Sequence, residues 1–156
     1  MRKNLEIVGI AALAAMLFIV LRALYGPASL PPTIPTHFGL DGRPDGFGSR
    51  WSLLSMPVVA LALYLLITVV ARFPSAFNYP VRVTPENRPR LQSLALDMIT
   101  WLKVEVVCVF AWIERITIVA ARNGEGAISP LFMPLALAAI LGTVVWYFVA
   151  MRRAAR

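Results

Sequence analysis

The sequence predicts an all-α integral membrane protein with four transmembrane helices and an ordered extracytoplasmic loop between the first two. Three observations lead to this prediction. Hydrophobic residues make up 59% of the 156 residues and the mean hydropathy is +0.73, whereas soluble domains are about 45–50% apolar. Four apolar stretches reach the roughly 20 residues that cross a bilayer as a helix. Basic residues are also distributed unevenly among the segments that flank these stretches.

The four apolar stretches are residues 5–24, 52–71, 94–121 and 131–151. They are expected to be helices because an open strand in lipid leaves its backbone hydrogen-bonding groups unpaired. A chain of this length suits one domain, so residues 1–156 are expected to form a single four-helix bundle.

The basic residues predict the orientation of the bundle. Three of them lie in the first and third connections, namely Arg43, Arg50 and Arg122. Nine lie at the two chain ends and in the second connection: Arg2, Lys3, Arg72, Arg82, Arg88, Arg90, Arg152, Arg153 and Arg156. Cytoplasmic segments carry the excess of lysine and arginine, so both termini are expected on the cytoplasmic side.

Several classes of function are disfavoured by the composition. A formal charge of +7 suggests nucleic acid in a soluble protein, but here the basic residues lie between apolar runs, and the bilayer is the expected partner. A lone cysteine, Cys108, cannot form an internal disulfide, and a lone histidine, His37, cannot build a multi-histidine metal site. No phosphate-binding glycine loop, nucleophile elbow or zinc-protease motif is present. The prediction is a non-enzymatic protein without metal or cofactor.

The first connection, residues 25–50, has the most unusual composition. It contains five prolines and five glycines, which exclude a helix and predict a chain of turns. Apolar residues recur within it, and they predict that the loop is packed: Leu30, Ile34, Phe38, Leu40 and Phe47.

The second connection, residues 72–93, is expected to begin with an irregular piece. Asn87 is then predicted to cap the third helix, with Pro89 in its first turn.

The first connection also carries a recognisable motif. It reads Ile34-Pro35-Thr36-His37-Phe38, then Gly42-Arg43-Pro44-Asp45, then Gly48-Ser49-Arg50, and the matches continue in Val83-Thr84-Pro85-Glu86-Asn87 and Trp101-Leu102-Lys103. These motifs resemble a bacterial membrane domain of unknown function that also forms the N-terminal part of SdpI-like proteins, which give immunity to a secreted toxic peptide and signal its presence. The resemblance implies a multi-pass protein of the bacterial cytoplasmic membrane that recognises a peptide or protein through Pro35, His37, Phe38, Gly42, Pro44, Asp45, Ser49 and Arg50.

His37 has two interpretations. With Asp41 and Asp45 it could form a proton-sensitive or metal-binding cluster. Alternatively, His37 is a structural hydrogen-bonding centre of the loop, and the two aspartates form turns beside glycines. The second interpretation is favoured, because one histidine and two aspartates do not define a reaction.

The third stretch contains five ionisable residues: Asp97, Lys103, Glu105, Glu114 and Arg115. Each is costly in hydrocarbon, by about 2.5–3.5 kcal/mol for a charged group at the centre of a helix. At 100° per residue, Asp97, Glu105 and Arg115 fall on one face, and Lys103 and Glu114 fall roughly opposite. Two polar faces predict two sets of neighbours, one within the bundle and one in a second protein chain. Glu105, near the middle of the stretch, is either a proton or ligand site or a contact that fastens helices together.

Three hypotheses of function follow. The first is a membrane protein that binds a peptide or protein partner through its outer loop. The second is an accessory subunit of a larger membrane complex, or a homo-oligomer, assembled through the second polar face. The third is a small transporter or enzyme that works through Glu105 and His37.

Overall fold

The computed structural model of the protein describes residues 1–124 and 127–155. Its helices are α1 (Arg2–Tyr25), α2 (Ser55–Val70), α3 (Arg88–Asn123) and α4 (Phe132–Ala154). Its strands are β1 (Thr33–Phe38) and β2 (Pro44–Ser49), and short 3-10 helices cover Arg50–Leu54 and Pro74–Ala76. Each of the four predicted apolar stretches therefore falls on a helix.

Three helical segments in the described part of the chain are long and apolar enough to cross a membrane. They are Arg2–Tyr25, Arg50–Val70 and Phe132–Ala154, with hydropathies of 2.5, 2.5 and 2.0. These segments indicate a membrane protein. Helix α3 is not among them, since charged residues recur along it. Its 36 residues give a length of about 54 Å at 1.5 Å per residue, so α3 is long enough to cross the bilayer, and this fourth span stays a prediction.

The first connection forms an antiparallel hairpin, so the all-α class and the chain of turns are both wrong in this segment. Thr33 lies opposite Ser49, Pro35 lies opposite Phe47, and the register is interrupted after Pro35. Proline is excluded from helix interiors but is tolerated in edge strands, because the position of its missing N–H can face solvent and no hydrogen bond of the sheet is lost. Each strand of a two-stranded sheet is an edge, and this accommodates the prolines that exclude a helix.

Helix α3 lies at the centre of the bundle and packs against α1, α2 and α4. One end of the bundle, here called the hairpin end, has a core formed by Val20, Ala23, Leu24, Leu30, Ile34, Leu53 and Ile118. The other end holds both chain termini and is called the terminal end. Its core is Leu91, Ala95 and Met151, covered by Phe77, Tyr79, Val81 and Val83 from the second connection. Both connections are thus packed onto helix ends.

Helix α3 starts where the sequence predicts, but the predicted hydrogen bond from the capping side chain is not formed. Asn87 precedes the helix and Pro89 lies in its first turn. The Asn87 side chain does not cap the helix: its oxygen accepts from the Thr84 N–H at 2.9 Å and its amide donates to the Arg82 carbonyl at 3.0 Å. The predicted cap is wrong because the side chain closes the preceding turn.

Candidate functional site

The tip of the hairpin is fixed to the segment that precedes α4. Gly42 has a φ of 78°, in the left-handed region that glycine adopts without a steric penalty. Its carbonyl accepts a hydrogen bond from the Ile128 N–H at 2.8 Å. A Cβ atom on residue 42 would lie 1.8 Å from the Ile128 carbonyl oxygen. Glycine is therefore required here by both conformation and space.

The base of the hairpin is held by Ser49 and Arg50. The Ser49 hydroxyl accepts from the Trp51 N–H at 3.4 Å, at the start of the following 3-10 helix. The Arg50 guanidinium donates to the Leu30 carbonyl at 2.9 Å, and its cation lies 5.5 Å from the centroid of the Trp51 ring. These two predicted recognition residues thus contribute to the local structure of the hairpin.

His37 and Asp45 form a cross-strand ion pair when His37 is protonated. Their Nδ1 and Oδ1 atoms are 2.5 Å apart, and the two side chains are 70% and 53% exposed. Asp41 instead accepts from the Arg43 N–H at 3.0 Å, which closes the turn between the strands. The structure therefore brings together two of the three residues in the predicted cluster. Within residues 1–124 and 127–155, no group of three or more His, Cys, Asp or Glu residues is arranged to hold a metal ion.

A cavity of about 670 Å³ lies between the hairpin and the outer parts of α3 and α4. Its hairpin wall includes His37, Phe38 and Asp45, and Gly42 also borders it. Its opposite wall is apolar, with Ile113 from α3 and Ile128, Met133 and Pro134 from α4 and the segment before it. A concave, mostly apolar space with a few polar groups on one side is the usual form of a ligand site.

The remaining motif residues have other positions. Pro35 is buried and lines a separate small pocket with Leu53 and Thr117. Pro44 begins β2 opposite Phe38. Of the eight predicted recognition residues, only His37, Phe38, Gly42 and Asp45 border the large cavity.

Lys103 is one of the two buried charged residues of α3, together with Glu114, and its side chain is 2% exposed. Its ammonium donates to both Glu6 carboxylate oxygens, at 2.6 and 2.8 Å, and to the Thr68 hydroxyl at 3.0 Å. The Tyr64 hydroxyl also donates to Glu6, and the Tyr64 ring lies 4.3 Å from the ammonium. All three donors of Lys103 are used, and the group joins α1, α2 and α3.

The other ionisable residues of α3 differ in their partners. Asp97 pairs with Arg2 at 2.9 Å near the terminal end. Glu105 accepts from the Thr143 hydroxyl of α4 at 2.6 Å. A second Glu105 oxygen and one Glu114 oxygen are buried without a hydrogen-bond partner in the described part of the chain. Arg115 is exposed. Lys103 and Glu114 thus face the interior of the bundle, and Glu105 faces α4.

Two groups in the second connection have shifted pKa values. The Thr84 hydroxyl holds the pKa of the Glu86 carboxyl below its ordinary value. Burial raises the pKa of the Tyr79 phenol, against a smaller opposing effect of Arg88. The Tyr79 hydroxyl donates to the Pro74 carbonyl at 2.7 Å, which helps to hold this connection against the helix ends.

Two sets of residues were not predicted from the sequence. Glu6 is an acid inside the first apolar stretch. Because a lysine in an apolar stretch requires a partner, the sequence could have predicted that Glu6 pairs with Lys103. The apolar wall of the cavity, including Ile128 and Met133, carries no sequence signal, because these residue types are common throughout the chain.

Three apolar helices of this length, with a hairpin between the first two and an ion pair that joins three helices, indicate a helical membrane protein. Residues 10–61 match the family described as Domain of unknown function (DUF1648). This match includes the hairpin motif and confirms that this segment resembles a domain of unknown function. The predicted link to SdpI-like proteins stays a prediction.

A relative was also found in an archaeon. Over 127 residues, the chain is 32% identical to a protein of Archaeoglobus fulgidus named only as an uncharacterized protein, covering 72% of this chain and 69% of the archaeal protein. The chain therefore belongs to the same family as this archaeal protein. No solved structure matches the chain.

Proposed function

We propose that this chain is a non-enzymatic, SdpI-like protein of the bacterial cytoplasmic membrane that binds a peptide in the cavity beside its hairpin. The observation that carries the proposal is the cavity itself, about 670 Å³ in volume, with His37 and Asp45 on one wall and apolar side chains on the other. This volume lies within the roughly 300–1,000 Å³ typical of ligand pockets.

The chemistry of the walls defines the expected ligand. An apolar side chain of the peptide would occupy the space between Phe38, Ile113 and Met133. Polar groups of the peptide backbone would face the His37–Asp45 pair, which can both donate and accept hydrogen bonds. The arginine bias supports a hairpin end on the outer side of the membrane, where a secreted peptide arrives.

A selection experiment tests this proposal. The protein is placed in lipid nanodiscs and used to select binders from a phage-displayed library of short random peptides, and binding of the enriched peptides is then measured. The Met133→Trp variant fills the cavity and should weaken binding about tenfold or more, the usual loss when a central contact of an interface is removed. Asp45→Ala should weaken binding as well.

Phe47→Ala is the matched control, because Phe47 is 64% exposed on the same hairpin and is not one of the residues that line the cavity. It should bind as the unaltered protein does. The proposal is wrong if Phe47→Ala removes binding while Met133→Trp retains it, since the peptide would then lie on the outer surface of the hairpin.

A second candidate function is supported by the surroundings of Glu105. This residue lines a cavity of about 360 Å³ with Trp101, Thr143 and Trp146, and one of its oxygens has no partner among the described residues. A carboxyl group placed in this way can bind a proton or a small cation, as in a transporter. The test is pH-dependent flux in proteoliposomes: Glu105→Gln should abolish it and Glu86→Gln, outside the helices, should not. Equal flux in both variants would exclude this function.

A further inference from the structure

A groove of about 440 Å³ follows the seam between α3 and α4 at the terminal end of the bundle. Its apolar surface comes from Leu94 of α3 and from Gly142, Val145 and Trp146 of α4. Arg90, in the first turn of α3, and Arg153, in the last turn of α4, also line it. The two guanidinium groups therefore lie at the end of the groove nearest the helix termini.

The charge around this groove has one sign. None of the residues that line it is acidic, and neither Arg90 nor Arg153 forms a salt bridge within residues 1–124 and 127–155. Of the two acidic residues nearest to Arg90 in the sequence, Glu86 does not line the groove and forms no salt bridge in the described part of the chain, and Asp97 is paired with Arg2. The amino end of α3 adds a partial positive charge beside Arg90. Two exposed arginines without a salt-bridge partner among the described residues, one of them at the amino end of α3, favour a phosphate group.

The length of the groove selects a lipid over a soluble phosphate compound. Gly142 and Arg153 are separated along α4 by about 16 Å at 1.5 Å per residue. One leaflet of a bilayer has about half of the 30 Å hydrocarbon thickness. The groove therefore matches an acyl chain that extends from a headgroup at the arginines to the middle of the membrane.

We propose that this groove binds one anionic phospholipid, with its phosphate between Arg90 and Arg153 and one acyl chain along Leu94, Val145 and Gly142. Basic pockets between membrane helices recognise anionic headgroups in this way. This site is independent of the peptide cavity, which lies at the other end of the bundle.

Native mass spectrometry of the protein in mild detergent tests the proposal, with phosphatidylglycerol and phosphatidylcholine of identical acyl chains as probes. The unaltered protein should retain phosphatidylglycerol about tenfold more strongly than phosphatidylcholine. Both lipids carry a phosphate, but the choline cation of phosphatidylcholine offsets its charge and is repelled by the two arginines, whereas phosphatidylglycerol has a net negative charge. Arg90→Ala/Arg153→Ala should reduce the binding of phosphatidylglycerol to the level of phosphatidylcholine. Arg90→Lys/Arg153→Lys keeps both charges and should keep most of the preference.

Two further variants distinguish lipid binding in the groove from general electrostatic attraction to the basic end of the protein. A Cβ on residue 142 meets nothing within 4 Å, so the side chain of Gly142→Leu starts in open space. It should occupy part of the groove and weaken phosphatidylglycerol binding with both arginines intact. Arg72→Ala/Arg82→Ala removes two charges at the same end but outside the groove, and should bind as the unaltered protein does.

Three results would overturn the proposal. One is equal retention of the two lipids by the unaltered protein. Another is a loss in Arg72→Ala/Arg82→Ala that equals the loss in Arg90→Ala/Arg153→Ala. The third is full competition by glycerol phosphate, which has the charged group but no acyl chain and would show that only a phosphate is bound.

Discussion

The two ends of the bundle differ in how their buried charged groups are paired. Towards the terminal end, Lys103 is fully paired with Glu6 and Thr68, and Arg2 is paired with Asp97. Towards the hairpin end, Glu114 is 2% exposed and one of its oxygens has no partner in the described part of the chain. Surface arginines are also concentrated at the terminal end. The difference indicates that ion pairs stabilise the helices at one end, whereas hairpin packing shapes a cavity at the other.

The largest expected effect of a substitution on stability is at the terminal end, where the charged side chains are paired. Glu6→Leu leaves the Lys103 ammonium, 2% exposed, without its carboxylate, and should lower the free energy of unfolding in detergent by about 3–5 kcal/mol. The double variant Glu6→Leu/Lys103→Met should recover most of this loss, because no buried charge is left unpaired. A double variant that is as unstable as Glu6→Leu would show that the ion pair does not account for the effect.

An intermediate effect is expected at the hairpin tip, where two glycines can be compared. Gly42 and Gly124 both have positive φ values, 78° and 67°, so alanine costs about 1 kcal/mol at each through backbone strain. Only at Gly42 would the added Cβ meet a backbone oxygen, that of Ile128.

Gly42→Ala should therefore lower the free energy of unfolding by about 2–3 kcal/mol, the cost of strain plus overpacking. It should also make the hairpin more susceptible to proteolysis, whereas Gly124→Ala should cost only the strain. Thermal unfolding and limited proteolysis of both variants measure the difference. Equal stability of the two variants would mean that the tip is not docked on the segment before α4.

The smallest effect is expected in the second connection. Tyr79→Phe removes the hydrogen bond to the Pro74 carbonyl and should cost about 1 kcal/mol near pH 8. Because burial raises the pKa of Tyr79 above its ordinary value, the folded state retains this proton where the unfolded state loses it. The stabilisation that results from this difference in pKa is complete below about pH 10, and it is lost as the pH rises through the pKa of Tyr79 in the folded state.

The difference in unfolding temperature between the unaltered protein and Tyr79→Phe should therefore narrow above about pH 10. Tyr25→Phe is the control, since Tyr25 is 70% exposed and should change neither stability nor its dependence on pH. A constant difference from pH 8 to 11 would contradict the role of burial at Tyr79.

The helices were the most predictable part of the fold. Hydropathy placed each apolar stretch on a helix, since length and apolarity are local properties of the sequence. The hairpin was less predictable, because proline and glycine exclude a helix but do not distinguish turns from edge strands. Its docking through Gly42 depends on Ile128, a residue far away in the sequence.

The candidate site was predictable only in part. The motif identified His37 and Asp45, which do form a pair, but it also included Ser49 and Arg50, which hold the base of the hairpin. The partner of Lys103 could have been found by asking which acid in another apolar stretch compensates it. The apolar wall of the cavity could not have been predicted, because packing between helices determines which of many similar residues contact the hairpin.

The proposed function requires that the hairpin and the chain ends face opposite sides of the membrane. Labelling of intact cells with a membrane-impermeant maleimide tests this directly, in a Cys108→Ser background that carries either Phe47→Cys on the hairpin or Ala155→Cys at the chain end. The hairpin cysteine should be labelled in intact cells, and the terminal cysteine only after the membrane is permeabilised. Labelling of Ala155→Cys but not of Phe47→Cys in intact cells would place the cavity inside the cell and contradict the account.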